Sequence, residues 1–242
     1  MYKFLQAIRD IFSTEELRIR ILNTIGFILL FRIGSYIVLP GVDPSKLTGE
    51  SKGIFGLLDT FLGGAFSNAS IFGLGVMPYI SASIAVQLLT IALPYFQRMQ
   101  KEGHSGRKRL NQITKVLTIF LAMVQSTAYL SSAIPNEVLL VSRSFFTSSS
   151  MVILTAGTMF CMWLGDRITD KGIGNGVSML IMIGIVSSLP GALISEVLSR
   201  GTRGALVLLI EMVILFFIVV LVVMFTQATR RVPVQYAKQM VS

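Results

Sequence analysis

The stretch ALVLLIEMVILFFIVVLVVMF, residues 205–225, holds a single ionisable side chain, Glu211. The run MVILTAGTMFCMWLG, residues 151–165, holds no Asp, Glu, Lys, Arg or His. A bilayer's hydrocarbon core of ~30 Å takes about 20 apolar residues per helix, and several runs of this chain reach that length. The composition agrees. Of 242 residues, 53% are hydrophobic and only 14% are charged, with a mean hydropathy of +0.73. A soluble domain of this length needs more charge to cover its surface. The expected fold class is all-α, a polytopic membrane helix bundle.

Six transmembrane helices are read, at roughly 19–39, 76–93, 116–134, 151–166, 177–194 and 205–227. The Pro40-Gly41 turn signal closes the first and Pro94 the second. The net charge of +9 raises the question of nucleic acid, but its placement answers it. With the N-terminus in the cytoplasm, fifteen Lys and Arg fall in inside segments, five in outside loops, and Arg32 within a span. That asymmetry follows the positive-inside rule, and the reverse orientation violates it. Cys161 is the single cysteine, which excludes an intrachain disulfide. The amphipathic start MYKFLQAIRDIFSTEELRIR has no small-residue cleavage site after a short apolar core, so no cleavable signal peptide is expected. The end, TRRVPVQYAKQMVS, has no capping or stop signal and reads as a truncated or partly covered chain.

Between the first two crossings the chain is apolar yet too interrupted to span. GIFGLLDTFL, residues 53–62, sets Ile54, Phe55, Leu57, Leu58, Phe61 and Leu62 around a helix with one acid, Asp59. Such a helix covers about half a bilayer, and Gly63-Gly64 then breaks it. Two readings stand: an interfacial helix on the outer leaflet, or a re-entrant segment covered by protein, since lipid cannot satisfy irregular backbone. In GLGVMPYISASI, residues 73–84, Pro78 suits the first turn of a helix, and Val76 and Ile80 share a face. Gly73, Gly75, Ser81 and Ser83 also suit plain close helix packing.

Five runs carry a resemblance: FRIGSYIVLPGVD (31–43), GGAFSNASIFGLGVMPYISASIAVQLLT (63–90), KEGHSGRKR (101–109), GTMFCMWLGDRITDKGIGNG (157–176) and RRVPVQYAK (230–238). In order and spacing, over nearly the whole chain, they resemble the SecY family of protein-translocation channels. The resemblance implies the first half of a ten-helix pseudo-symmetric channel. Residues 1–194 would be the N-terminal half, with five transmembrane helices and a plug at about 54–70. Residues 195–242 would be the sixth helix and the start of a cytoplasmic loop. It further implies that Val76, Ile80 and Ile181 belong to a pore ring of branched aliphatics, which seals by dewetting. The plug would carry Ile54, Phe55, Leu57, Leu58, Phe61 and Leu62. The second and third crossings would form one side of a lateral gate opening to lipid; Gln87 and Gln125 either face that gate or make ordinary interhelical hydrogen bonds.

The family's partners are SecE, SecG, the SecA motor, the ribosome, signal peptides and nascent chains, and its location is the bacterial inner membrane. Arg230 and Arg231 resemble the basic pair that docks on ribosome and SecA. Arg107, Lys108 and Arg109 offer a second basic patch able to meet phosphates, although topology alone accounts for them. Many relatives carry another basic residue where Gln239 follows Lys238 here.

No enzyme and no cofactor are expected. GIGNG, residues 172–176, is not GxGxxG and follows no strand, no GxxxxGK[ST] or HExxH occurs, and His104 stands alone on a polar loop. A solute transporter also uses broken helices, but it needs polar groups at the break, and here Val76, Met77 and Ile80 occupy it. Arg32 and Glu211 are charges within spans that either snorkel or face water.

Overall fold

The computed structural model describes residues 13–47, 54–200 and 204–228. Within them the chain forms eight α-helices: α1 Glu15–Tyr36, α2 Ile54–Leu62, α3 Met77–Ala92, α4 Pro94–Lys101, α5 His104–Ala133, α6 Arg143–Lys171, α7 Gly176–Arg200 and α8 Gly204–Gln227. No β-strand occurs among the described residues, only two isolated bridges, Val38 with Ser70 and Val42 with Leu139. The all-α bundle read from hydropathy is the observed fold.

Four helices, α5 to α8, are long and apolar enough to cross a membrane, and α3 with α4 makes a fifth if the pair is one span. The sequence reading had six. α3 and α4 are bent by 100° at their junction, because Pro94 starts a new helix and leaves Leu93 extended, at φ −110° and ψ 123°. α3 alone has 16 residues. α1 has the length, with 22 residues, but it carries Glu15, Glu16, Arg18, Arg20 and Arg32.

Two helices begin earlier than the hydropathy suggested. α5 has 30 residues and starts at His104, so the stretch read as a polar loop is its first turns. Beyond Gly103, at φ +75°, no proline interrupts the helix before Ala133, and Gly106 is taken into it, buried against the Met99 carbonyl. α6 has 29 residues and starts at Arg143, taking in the serine-rich run before Met151. Three of its hydroxyls turn back on their own helix: Thr147 donates to the Arg143 carbonyl at 2.9 Å, Ser148 to Ser144 at 3.1 Å and Ser149 to Phe145 at 2.9 Å. Self-satisfied hydroxyls enter an apolar phase at little cost, which a hydropathy scale misses.

The chain divides into two compact units at Leu189 and Pro190. The first contains two apolar cores. One gathers Leu39, Leu62, Phe66, Leu74, Tyr129, Leu130, Phe146 and Leu154. The other gathers Phe31, Phe72, Val76, Cys161, Leu164, Ile168 and Leu180. The connection after α1 is stitched to the chain before α3, with Leu39 N–H donating to the Ala69 carbonyl and Ile71 N–H to the Ile37 carbonyl, both at 2.9 Å. It is stitched equally to the α5–α6 connection, where Asp43 N–H donates to Val138 and Leu140 N–H to Gly41, both at 3.0 Å. The second unit consists of the end of α7 and α8, whose apolar stretch Val207–Gln227 is 0% buried. A helix apolar on all sides is one made for lipid or for other protein.

Candidate functional site: a short helix beside an aliphatic cluster

The nine residues of α2 rise about 14 Å, too short to span. Gly63 and Gly64 follow it at φ +62° and +88°, and Gly64 N–H closes the last turn on the Asp59 carbonyl at 3.1 Å. The Asp59 carboxylate accepts the Ser67 backbone N–H at 2.9 Å and also the Ser67 hydroxyl. The chain is therefore folded straight back, and Tyr129 of α5 holds it there by donating to the Phe66 carbonyl at 2.7 Å.

The six apolar residues assigned to the plug do not act alike. Leu62 is 5% exposed and belongs to the first core, and half-buried Leu58 lies one turn earlier on the same face. Leu57 and Phe61 point away, 65% and 46% exposed. Ile54 and Phe55 fall within the helix, but their side chains lie outside the described residues. Gly75 seats Leu62: at φ +51° it takes a backbone shape that side chains disfavour, and a Cβ there would stand 2.4 Å from Leu62 Cδ2.

Two helices close on the C-terminal end of α2. Arg32 of α1 donates through Nη1 to the Gly63 carbonyl at 3.1 Å. Gly184 of α7 lies so close that a Cβ there would stand 2.3 Å from the Phe61 carbonyl oxygen. The α2 segment is thus a short helix held at its C-terminal end by side chain and backbone together. Arg32 lies one turn from the end of α1, which stops at Tyr36. The sequence showed the charge, but its partner is a backbone carbonyl that no pattern reveals.

Val76, Ile80 and Ile181 meet at the second core. Val76 sits at the N-cap of α3 and is 3% exposed within that core; Ile80 and Ile181 are half-buried and pack against it. Phe72 stacks on Phe31 and Phe160, with ring centroids 6.0 and 5.7 Å apart. The three aliphatics therefore share one cluster, but Val76 is packed into it and lines no open space in this conformation.

A cavity of about 590 Å³ lies between α2, α3 and α5, lined among others by Leu58, Leu62, Met77, Ser81, Gln125 and Tyr129. Gln125 is thus placed beside α2. Gln87 is elsewhere, on the exposed face of α3 with its Nε2 donating to Ser83 Oγ at 3.2 Å. The structure does not bring the two amides into one site.

Arg107, Lys108 and Arg109 are exposed in the first turns of α5. Cations at a helix N-terminus oppose the helix dipole, so helix stability does not explain them. Arg230 and Arg231 lie outside the described residues. No group of three or more His, Cys, Asp or Glu able to hold a metal occurs among the described residues.

A bundle of helices long and apolar enough to cross a membrane, with a short helix packed against it, defines a class, the multi-pass membrane proteins. The SecY family model matches residues 70–242. The chain is 41% identical over 254 residues to the protein translocase subunit SecY of Streptomyces scabiei, covering 98% of this chain and 58% of that protein. It is 43% identical over 235 residues to that of Escherichia coli strain K12, covering 93% and 53%. It spans a little over half the length of these curated relatives. Among solved structures it superposes on a protein conducting channel with a TM-score of 0.60, at 18% identity over 84% of this chain and 46% of that one. Sec61 in the canine ribosome-channel complex from the endoplasmic reticulum superposes with a TM-score of 0.58, at 17% identity over 91% and 50%. At such identities these two establish the fold alone. The chain belongs to the SecY family.

Proposed function

We propose that this chain forms one half of a channel that conducts secretory polypeptides across a membrane and releases membrane segments sideways into lipid. The observation that carries the reading is α2, a helix too short to span, clamped between Arg32 and Gly184 and seated by Leu62 near the Val76 cluster. It acts as the plug of the resting pore. Val76, Ile80 and Ile181 supply part of a ring that seals by dewetting and offers ions no favourable site. Branched aliphatics also close around a passing peptide without gripping it, because dispersion contacts carry no directional demand. The remaining ring members come from a second half outside this sequence.

Such a channel performs no covalent chemistry and is not an enzyme; the ribosome or the SecA motor supplies the drive. SecE and SecG are its accompanying subunits. Signal peptides leave between α3 and the facing half of the lateral gate, past the cavity that Gln125 lines. The bacterial inner membrane is the location, with the N-terminus and the basic residues Arg107, Lys108, Arg109, Arg230 and Arg231 on the cytoplasmic side, available to ribosome and SecA. Electrophysiology of the complete channel in planar bilayers tests the plug. Deleting residues 54–70 is expected to raise the resting ion conductance, and an unchanged conductance contradicts the plug assignment.

A further inference from the structure

Arg32 is one of the two groups that clamp α2, and its hold differs in kind from that of Gly184. An arginine within an apolar helix carries a solvation cost, and such residues are kept where they meet a specific partner. Here the half-buried guanidinium reaches across to α2, with Nη1 donating to the Gly63 carbonyl at 3.1 Å. Gly63 is the first residue past α2, so the cation stands where the dipole of that helix is most negative. Nη2 donates to the Tyr36 hydroxyl at 3.2 Å, and the guanidinium carbon lies 5.3 Å from the centroid of the Tyr36 ring. Tyr36, one turn on along α1, thus aims Arg32 at α2 by hydrogen bond and ring face together.

The opposite side of the same turn is closed by α7, where Gly184 leaves no room for a methyl group beside the Phe61 carbonyl. Van der Waals contact with Gly184 limits how far α2 moves in that direction, but contact alone does not pull. The Arg32 bond is the directional attraction on this turn, as the Tyr129 bond to Phe66 is on the segment that follows. Its acceptor is one backbone carbonyl, so a small displacement of α2 releases it completely, as a plug that must leave on demand requires.

We infer that Arg32 is a positioning residue that latches the plug in its resting place, with Tyr36 orienting it. The inference rests on the plug reading of α2. Two measurements on the complete channel test it. The first is resting conductance. Arg32→Gln is expected to raise the fraction of plug-displaced channels about tenfold, the effect of losing one charge-assisted hydrogen bond. Arg32→Lys, which keeps a cationic donor, restores most of the seal. In a channel lacking residues 54–70, Arg32→Gln adds nothing. The second measurement needs only a folded fraction in detergent. A cysteine placed at buried Leu62, with Cys161 replaced by alanine, is expected to react with a maleimide about tenfold faster when Arg32 is glutamine.

Wild-type conductance and labelling in Arg32→Gln, while the deletion leaks, overturn the latch and leave the plug standing. An equal rise from Arg32→Gln in the deleted channel also overturns it, since Arg32 then acts on something other than α2. A deletion that does not leak overturns the plug reading, and the latch with it.

Discussion

Leu62 and Leu57 are both leucines on one short helix, yet one is a core residue and the other faces outward. Residue type called all six apolar side chains of α2 alike, and only packing separates Leu58 and Leu62 from Leu57 and Phe61. The same gap between identity and environment appears at Gly184, an ordinary helix glycine in sequence. Its α-carbon is where α7 touches the Phe61 carbonyl. Gly184→Ala forces a methyl into that contact and displaces the end of α2, an overpacking cost of about 1–3 kcal/mol. Resting conductance is expected to rise, with translocation of precursors retained. Gly26, which has nothing within 4 Å of a built Cβ, is the control: Gly26→Ala leaves conductance alone and favours the helix by about 1 kcal/mol. Equal behaviour of the two variants contradicts the close seat of α2. At this scale much of the site was hidden. The Arg32 bond joins residues 31 apart in sequence through a carbonyl, and every residue type supplies a carbonyl.

Helices were more legible. Long apolar runs located α6, α7 and α8, and the Pro94 signal ended α3 where the chain turns by 100°. The errors lay where hydropathy misjudges polar residues. The serines that begin α6 bond back to their own helix, so a polar run proved helical. The cations that begin α5 were read as loop because charge was taken for irregularity. Their exposure against the helix dipole fits a role in orientation or docking. Orientation is open to direct test with single cysteines in a Cys161→Ala background. Arg107→Cys is expected to react with a membrane-impermeant maleimide only when the cytoplasmic face is presented. Exposed Ser142→Cys, at the other end of the α5–α6 pair, is expected to react only from outside. The reversed pattern contradicts a cytoplasmic N-terminus.

At the scale of the molecule, the first unit is a bundle with its own two cores. Hydrophobic patterning foretold the membrane bundle and the non-spanning apolar segment between the first two crossings. It could not say whether that segment lay on the membrane surface or inside the protein, because both expose apolar residues to something other than water. Contacts from Arg32, Gly184 and Tyr129 tie the segment to α1, α7 and α5, as the covered reading requires. Val76 being buried sets a condition on the channel reading, since a side chain 3% exposed meets a passing peptide only after the residues packed on it have moved. Cysteine crosslinking in the complete channel tests this most directly. Single cysteines at Val76, Ile80 and Ile181, with Cys161 removed, are challenged with a secretory precursor that carries one cysteine and is stalled halfway across. Disulfides to all three positions, formed only when the precursor is present, are the predicted result. Stalled precursor without a crosslink at any of them contradicts the account.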